Sequence, residues 1–200
     1  MDLLDPIAAQ KLALRDQLLT ARRRRPLPQL LEDANAIAEH LLVCEPVRRA
    51  ATVAAYVSVG TEPGTGPLIE RLHELGRRVI LPVLLPDNDV DWAPYRGPEG
   101  LAPAGRGLLE PLGERLGTEA VATADVLLTP GLAVDGTGMR LGRGGGSYDR
   151  VLARVPVGTF VCTLLYDGEL IEHVPAAEHD RRVSAAATPS GVTWFPSAPG

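Results

Sequence analysis

A single-domain α/β fold of three layers (α/β/α), with helices on both faces of a mostly parallel sheet, is what this sequence predicts, and three observations predict it. Short apolar runs with β-branched residues alternate with segments of helical periodicity, and Thr52 to Val83 reads as strand, helix, strand. Those runs have the character of strands buried between covering layers. The 200 residues, 45% of them hydrophobic, fit one domain spanning residues 1–200, with a core that needs no staples.

Each element has its own justification. From Pro6 to about Arg24, Ile7, Leu12, Leu14, Leu18 and Leu19 recur at roughly helical spacing, and Pro26 follows. The basic run Arg22 to Arg25 suits a helix C-terminus, where the dipole favours cations, so a solvated helix end is expected there, not a nucleic-acid patch. A second helix, about Pro28 to Val43, carries Leu30, Leu31, Ile37, Leu41 and Leu42, and a proline in its first turn loses no N–H partner. Thr52 to Val57 reads as a buried strand opening into a loop with Gly60, Pro63, Gly64 and Gly66. A helix from Pro67 to Leu75 stops at Gly76, and Val79 to Val83 is the next strand. Pro86 to Gly113, rich in Pro and Gly around Trp92 and Tyr95, is expected to form loops with short irregular strands. Asp125 to Pro130 is a third strand, Gly131 to Asp135 a turn, Tyr148 to Val155 a helix, and Thr159 to Tyr166 a further buried strand. Ligands of open α/β sheets sit beyond the carboxyl ends of the strands, so the loops after Val57 and after Pro130 are the places to search.

Composition removes whole classes of function. A net charge of −5 and a pI near 5.4 argue against a surface that holds nucleic acid or anionic lipid, which needs clustered excess Lys and Arg. Cys44 and Cys162 lie far apart among apolar residues and form no disulfide framework or metal pair, as expected of thiols in a reducing compartment. The first residues place Asp2, Asp5 and Lys11 among apolar ones, which fits neither a secretory signal nor a membrane span. A cytoplasmic, monomeric protein with no nucleic-acid or membrane partner is expected. Lys11 is the single lysine among 20 basic residues, which hints at a specific task.

The most informative stretch runs from Gly138 to Arg150. Four glycines within Gly142 to Gly146 free the backbone to turn its N–H groups toward one point, the following helix adds its positive end, and Arg140 and Arg143 add charge. A Walker A loop is excluded because no lysine follows position 11, and a Rossmann fingerprint fails at Ser147. Asp149, just inside the helix, reads either as a helix-start residue or as a magnesium ligand, and Glu62 either as an exposed loop acid or as a bidentate partner for a heterocycle's N–H groups. His173, His179 and Asp180 match no zinc spacing, and His40 and His73 lie on helices without visible chemistry.

Pro130 to Asp135 followed by Arg140-Leu-Gly-Arg-Gly-Gly-Gly-Ser-Tyr-Asp-Arg150 closely resembles the signature of the 5-formyltetrahydrofolate cyclo-ligases. Lys11 with Arg15 is similar to that family's N-terminal pair, Tyr56 to Glu62 to its second strand and pterin-side loop, and Glu110-Pro111, Val174-Pro175 and His179-Asp180 also fit. The resemblance implies the layered fold shared by sugar-phosphate isomerases and CoA transferases. It also implies an enzyme that uses Mg²⁺ and ATP to turn 5-formyltetrahydrofolate into 5,10-methenyltetrahydrofolate through a phosphorylated formyl group, releasing ADP and phosphate. Carried over by position, Lys11, Arg15, Arg140, Gly142, Gly144, Gly145, Gly146 and Tyr148 would hold ATP, with Lys11 and Arg140 acting catalytically. Val57, Glu62, Arg143 and Ser147 would contact the folate, and Asp149 with Asp180 would hold Mg²⁺. This chain departs from the family at Ser147, where many members have an aromatic residue, at Ser184, where an acid is common, and at Gly145, a lysine in some. Two rivals are a non-catalytic folate or nucleotide binder on the same fold, and a sugar-phosphate isomerase, which would leave Lys11 and Arg15 unexplained.

Overall fold

The computed structural model describes residues 5–177 and 180–196, so expectations resting on Asp2 and His179 lie outside the described residues. Helix α1 (Pro6–Arg23) starts at Asp5, whose side chain accepts from Ile7 N–H, with Pro6 in the first turn where its missing N–H is harmless. Helix α2 (Leu27–Val43) buries Ala34, Ile37, Ala38 and Leu41, one stripe at helical spacing, and the short α3 (Glu45–Arg49) follows. Strand β1 (Thr52–Ala54) leads through a loop to α4 (Gly66–Glu74), which ends before Gly76 at φ +73°. Then come β2 (Arg78–Leu84), β3 (Val90–Pro94), β4 (Leu101–Pro103), β5 (Leu109–Pro111) and β6 (Val126–Pro130). The chain continues with β7 (Ala133–Asp135), β8 (Arg140–Leu141), α5 (Ser147–Arg154), β9 (Phe160–Leu164), β10 (Leu170–Ile171), β11 (Ala185–Thr188) and β12 (Gly191–Trp194).

Seven strands form the main sheet in the order β12-β11-β9-β6-β1-β2-β3, with the five inner strands parallel and both edges antiparallel. Alternate residues of the inner strands face opposite layers, as strand geometry requires. Val53, Val79, Val126 and Cys162 pack with α2 and α4, whereas Ala54, Ile80, Leu127 and Val161 pack with Val151 and Leu152 of α5. The chain leaves β1 toward β2 on one side and returns to β6 on the other, with α4 and α5 on opposite faces. The strand order therefore reverses between β1 and β6, and a crevice opens beyond their carboxyl ends. A third cluster, with Leu18, Leu132, Met139, Leu141 and Val174, seats α1 on a small sheet ordered β10-β7-β8.

The expected α/β class and mostly parallel sheet hold, with local corrections. The strand expected through Val57 is laddered only over Thr52–Ala54, because the chain then diverges to line the crevice. Within Pro86 to Gly113, β3 is a regular edge strand paired with β2 over five positions around the fully buried Trp92. Gly131 to Asp135 is not merely a turn, since Ala133–Asp135 pairs with both β8 and β10. The basic end of α1 is not solvated throughout: Arg22 is 1% exposed and forms a bidentate pair with Glu169, and Arg25 pairs with Asp33 and stacks on Tyr166. Local dipole reasoning cannot anticipate an acid that lies 147 residues away. Among the described residues no helix is long and apolar enough to cross a membrane.

Candidate active site

A cavity of about 240 Å³ lies in the crevice where the strand order reverses. Tyr56, Val57, Val59 and Glu62 enter it from the loop after β1, and Pro130 and Gly131 from the end of β6. Arg140 comes from β8, and the glycine loop from Gly142 to Gly146 leads into Ser147, Tyr148 and Asp149 of α5. Apolar side chains of β2, β3 and the segment before β5, including Leu84, Val90 and Leu108, form the opposite wall.

The glycine loop owes its path to backbone freedom at Gly144 (φ +97°) and Gly146 (φ +74°), conformations that side chains other than glycine seldom adopt. Arg15 Nε donates to Gly142 O at 2.8 Å, and a Cβ on Gly144 would stand 3.2 Å from the Arg15 guanidinium carbon. The loop is thus fastened to α1. No backbone N–H from Gly142 to Ser147 has an acceptor among the described residues. These N–H groups stand at the N-terminus of α5, an arrangement suited to an anion.

Arg140 is 8% exposed, donates to Pro130 O at 3.0 Å and to Asp149 Oδ1 at 3.0 Å, and its buried Nε has no partner among the described residues. Burial lowers the affinity of this guanidinium for its proton, opposed by the nearby Asp149, Tyr148 and Asp180. Among the described residues no donor reaches Asp149 Oδ2, whereas Asp180 Oδ2 accepts from Lys11 Nζ and from Ala177 N–H. Glu62 is not the exposed loop acid considered above: its side chain is 10% exposed, accepts from Val59 N–H and pairs with Arg143 at 3.3 Å. Burial pushes its carboxyl above the usual value, while the Val59 N–H, Arg143 and Arg22 pull it back.

The structure therefore brings Val57, Glu62, Arg140, Gly142, Arg143, Gly144, Gly145, Gly146, Ser147, Tyr148 and Asp149 to one cavity. Lys11, Arg15 and Asp180 do not line it; they join it through the glycine loop and through the field of Asp180 on Arg140. Ser184 Oγ accepts from Val161 N–H and makes no hydrogen bond to Asp180. His40 bonds Pro189 O, His73 stands edge-on to Tyr95, His173 is exposed, and Cys44 and Cys162 are unpaired. Two further participants escaped sequence reasoning in these roles. Glu110 lines the cavity and accepts from Leu84 N–H, and Tyr56 lines it with a buried, unpartnered hydroxyl. For Tyr56 a signal existed, a polar-tipped aromatic at the mouth of a buried strand.

The description 5-formyltetrahydrofolate cyclo-ligase family fits residues 7–189 of this chain. A 5-formyltetrahydrofolate cyclo-ligase of Mycolicibacterium smegmatis is 40% identical, with 88% of this chain and 93% of that protein covered. One of Escherichia coli K12 is 35% identical, with 88% and 98% covered. The Aquifex aeolicus 5,10-methenyltetrahydrofolate synthetase structure superposes with a TM-score of 0.79 at 25% identity, over 95% of each chain. With the cavity at the strand-order reversal and the glycine loop closing it, these likenesses lead to one conclusion: the chain belongs to the 5-formyltetrahydrofolate cyclo-ligase family.

Proposed function

We propose that this chain is a cytoplasmic, ATP- and Mg²⁺-dependent cyclo-ligase that converts 5-formyltetrahydrofolate to 5,10-methenyltetrahydrofolate, releasing ADP and phosphate, and that it works as one domain and as a monomer. The observation that carries the reading is the polarity of the cavity. It sets buried Arg140 beside a run of unpartnered loop N–H groups fastened to α1 through Arg15, and it also holds the desolvated Glu62 carboxylate, paired with Arg143, together with apolar side chains such as Leu84, Val90 and Leu108. The first suits phosphate and the second a heterocycle with N–H donors.

The chemistry follows from the substrate. A formyl amide oxygen is a poor leaving group. Transfer of the terminal phosphoryl group of ATP to that oxygen makes it one, N10 then adds to the formyl carbon and loses its proton, and the oxygen departs with phosphate as the second C–N bond is completed. Phosphoryl transfer asks for alignment and charge neutralisation, not for a protein nucleophile. Lys11, Arg15, Arg140 and the N–H groups of Gly142, Gly144, Gly145 and Gly146 would hold the phosphates, with Tyr148 against the nucleotide. Val57, Arg143 and Ser147 would contact the folate, and Glu62 would accept from its ring N–H groups.

The residues also fit Mg²⁺, which in nucleotide sites takes one or two carboxylates and completes its shell with phosphate oxygens and water. Among the described residues no cluster of three or more His, Cys, Asp or Glu forms an all-protein cage, whereas Asp149 and Asp180 both act on Arg140 and Asp149 has an oxygen without a donor. Asp149 and Asp180 would hold the ion, with Lys11 sharing the second carboxylate, and the bound ion would neutralise charge on the transferring phosphoryl group.

The test is absorbance in the methenyl-folate band with purified protein, Mg²⁺ and 5-formyltetrahydrofolate, with and without ATP. A rise that needs ATP and disappears with EDTA is expected, and Lys11→Ala should lose it. ATP binding without any rise would replace this reading with a non-catalytic binder.

A further inference from the structure

Tyr56 has no task in the chemistry above, yet its placement calls for one. It follows β1 by two residues, is 3% exposed and lines the cavity, and its hydroxyl has no hydrogen-bond partner among the described residues. Its neighbours pack on either side of the sheet, Ala54 in the cluster that contains α5 and Ala55 and Val57 in the one that contains α4, and Tyr56 itself lies near Tyr148 of α5. Tyr56 lies close enough to Glu62 and Tyr148 for each to act on its ionisation. Burial keeps the phenol protonated, so the hydroxyl retains a hydrogen to donate. A buried hydroxyl with no partner is costly to a fold and calls for an explanation, and a ligand acceptor is one.

Resting on the cyclo-ligase reading, the substrate's own edge identifies that acceptor. A 2-amino-4-oxo-pteridine presents in sequence an exocyclic amino donor, a ring N–H donor and a carbonyl acceptor. A carboxylate matches the first two groups, and the third requires a protein donor beside that carboxylate. We propose that the Tyr56 hydroxyl is a specificity-determining donor to the 4-oxo oxygen of the substrate's pteridine ring, next to the N–H groups accepted by Glu62.

The experiment compares wild-type protein with Tyr56→Phe, which removes only the hydroxyl, by calorimetry on a 2-amino-4-oxo-tetrahydropteridine and its 4-thioxo analogue, which keeps both N–H donors facing Glu62 and replaces the acceptor oxygen by a much weaker one, together with thermal unfolding and the KM for ATP. Wild type should prefer the oxo compound by roughly tenfold, the value of a hydrogen bond to a group otherwise left unpaired. Tyr56→Phe should bring that ratio close to one, unfold no earlier than wild type because it breaks no internal bond, and leave the KM for ATP unchanged. Wild-type selectivity retained in Tyr56→Phe would overturn the proposal and leave the cyclo-ligase reading standing. A lowered unfolding temperature with equal loss of both ring compounds would do the same by revealing a structural hydroxyl. Indifference of the wild type to the 4-oxo group would overturn it without reference to any variant. If wild type binds neither compound and does not turn over 5-formyltetrahydrofolate, the cyclo-ligase reading falls as well.

Discussion

Replacing Glu169 by Gln should destabilise the protein far more than a surface charge change would. Arg22 and Glu169 have side-chain exposures of 1% and 7% and meet at 2.7 and 2.8 Å through two parallel N–H donors. Arg22 also donates to Gly131 O at 2.7 Å, and Glu169 accepts from Tyr166 N–H at 2.8 Å. The pair therefore ties α1 to the end of β6 and to the segment after β9. The variant keeps the volume of the side chain but leaves a buried guanidinium without its counter-charge, a change that costs about 3–5 kcal/mol. For a chain of this size each kcal/mol moves the unfolding midpoint by about 2–4 °C, so a fall of roughly 6–20 °C is expected in a thermal scan. The cost lies in the orphaned charge, so Arg22→Met combined with Glu169→Leu should recover much of the loss, and a double-mutant cycle would measure the coupling. A midpoint within about 2 °C of wild type for Glu169→Gln, or a double variant no better than the sum of the single ones, would refute the reasoning.

Three further outcomes are expected. Gly131→Ala places a Cβ 2.5 Å from Thr163 Cγ2 on an inner strand, so calorimetry should register a loss of about 1–3 kcal/mol from overpacking, and unchanged stability would mean that β9 yields freely. Asp89, held by two Arg154 donors at 2.7 Å, has its carboxyl lowered from 3.8 to about 2, so the stability it contributes is complete above pH 3.8 and disappears as pH falls through about 2. Asp89→Asn should accordingly flatten the acid limb of the unfolding profile, and an unaltered limb would argue against the pair. Glu62 shifts the other way, so folate affinity that depends on its ionised form should fall off on acidification with a midpoint above 4.5, and the same midpoint in Glu62→Gln would assign it elsewhere.

Much of the site was legible because its signals are local. The glycines from Gly142 to Gly146 announce through composition alone the loop that lines the cavity, and the positions after Val57 and Pro130 follow from the rule for open sheets. Lys11 stood out as the single lysine, although nothing local connects it to Asp180. Elements whose partners are remote were misread or missed. The segment Ala185–Ala187 lacks β-branched residues, yet it forms a fully buried inner strand because β9 and β12 flank it and both faces are covered. Arg22 looked like the solvated end of a helix because its acid is far away in the chain.

The sequence by itself determined the alternation of strands and helices, the glycine loop at the start of α5, and the set of charged residues available to it, since propensity, periodicity and glycine placement act over a few residues. Tertiary structure alone decided which charges became buried and which polar groups lost their partners. Glu62, Arg140 and Tyr56 acquire their character from desolvation, and desolvation depends on what packs against a residue from distant parts of the chain.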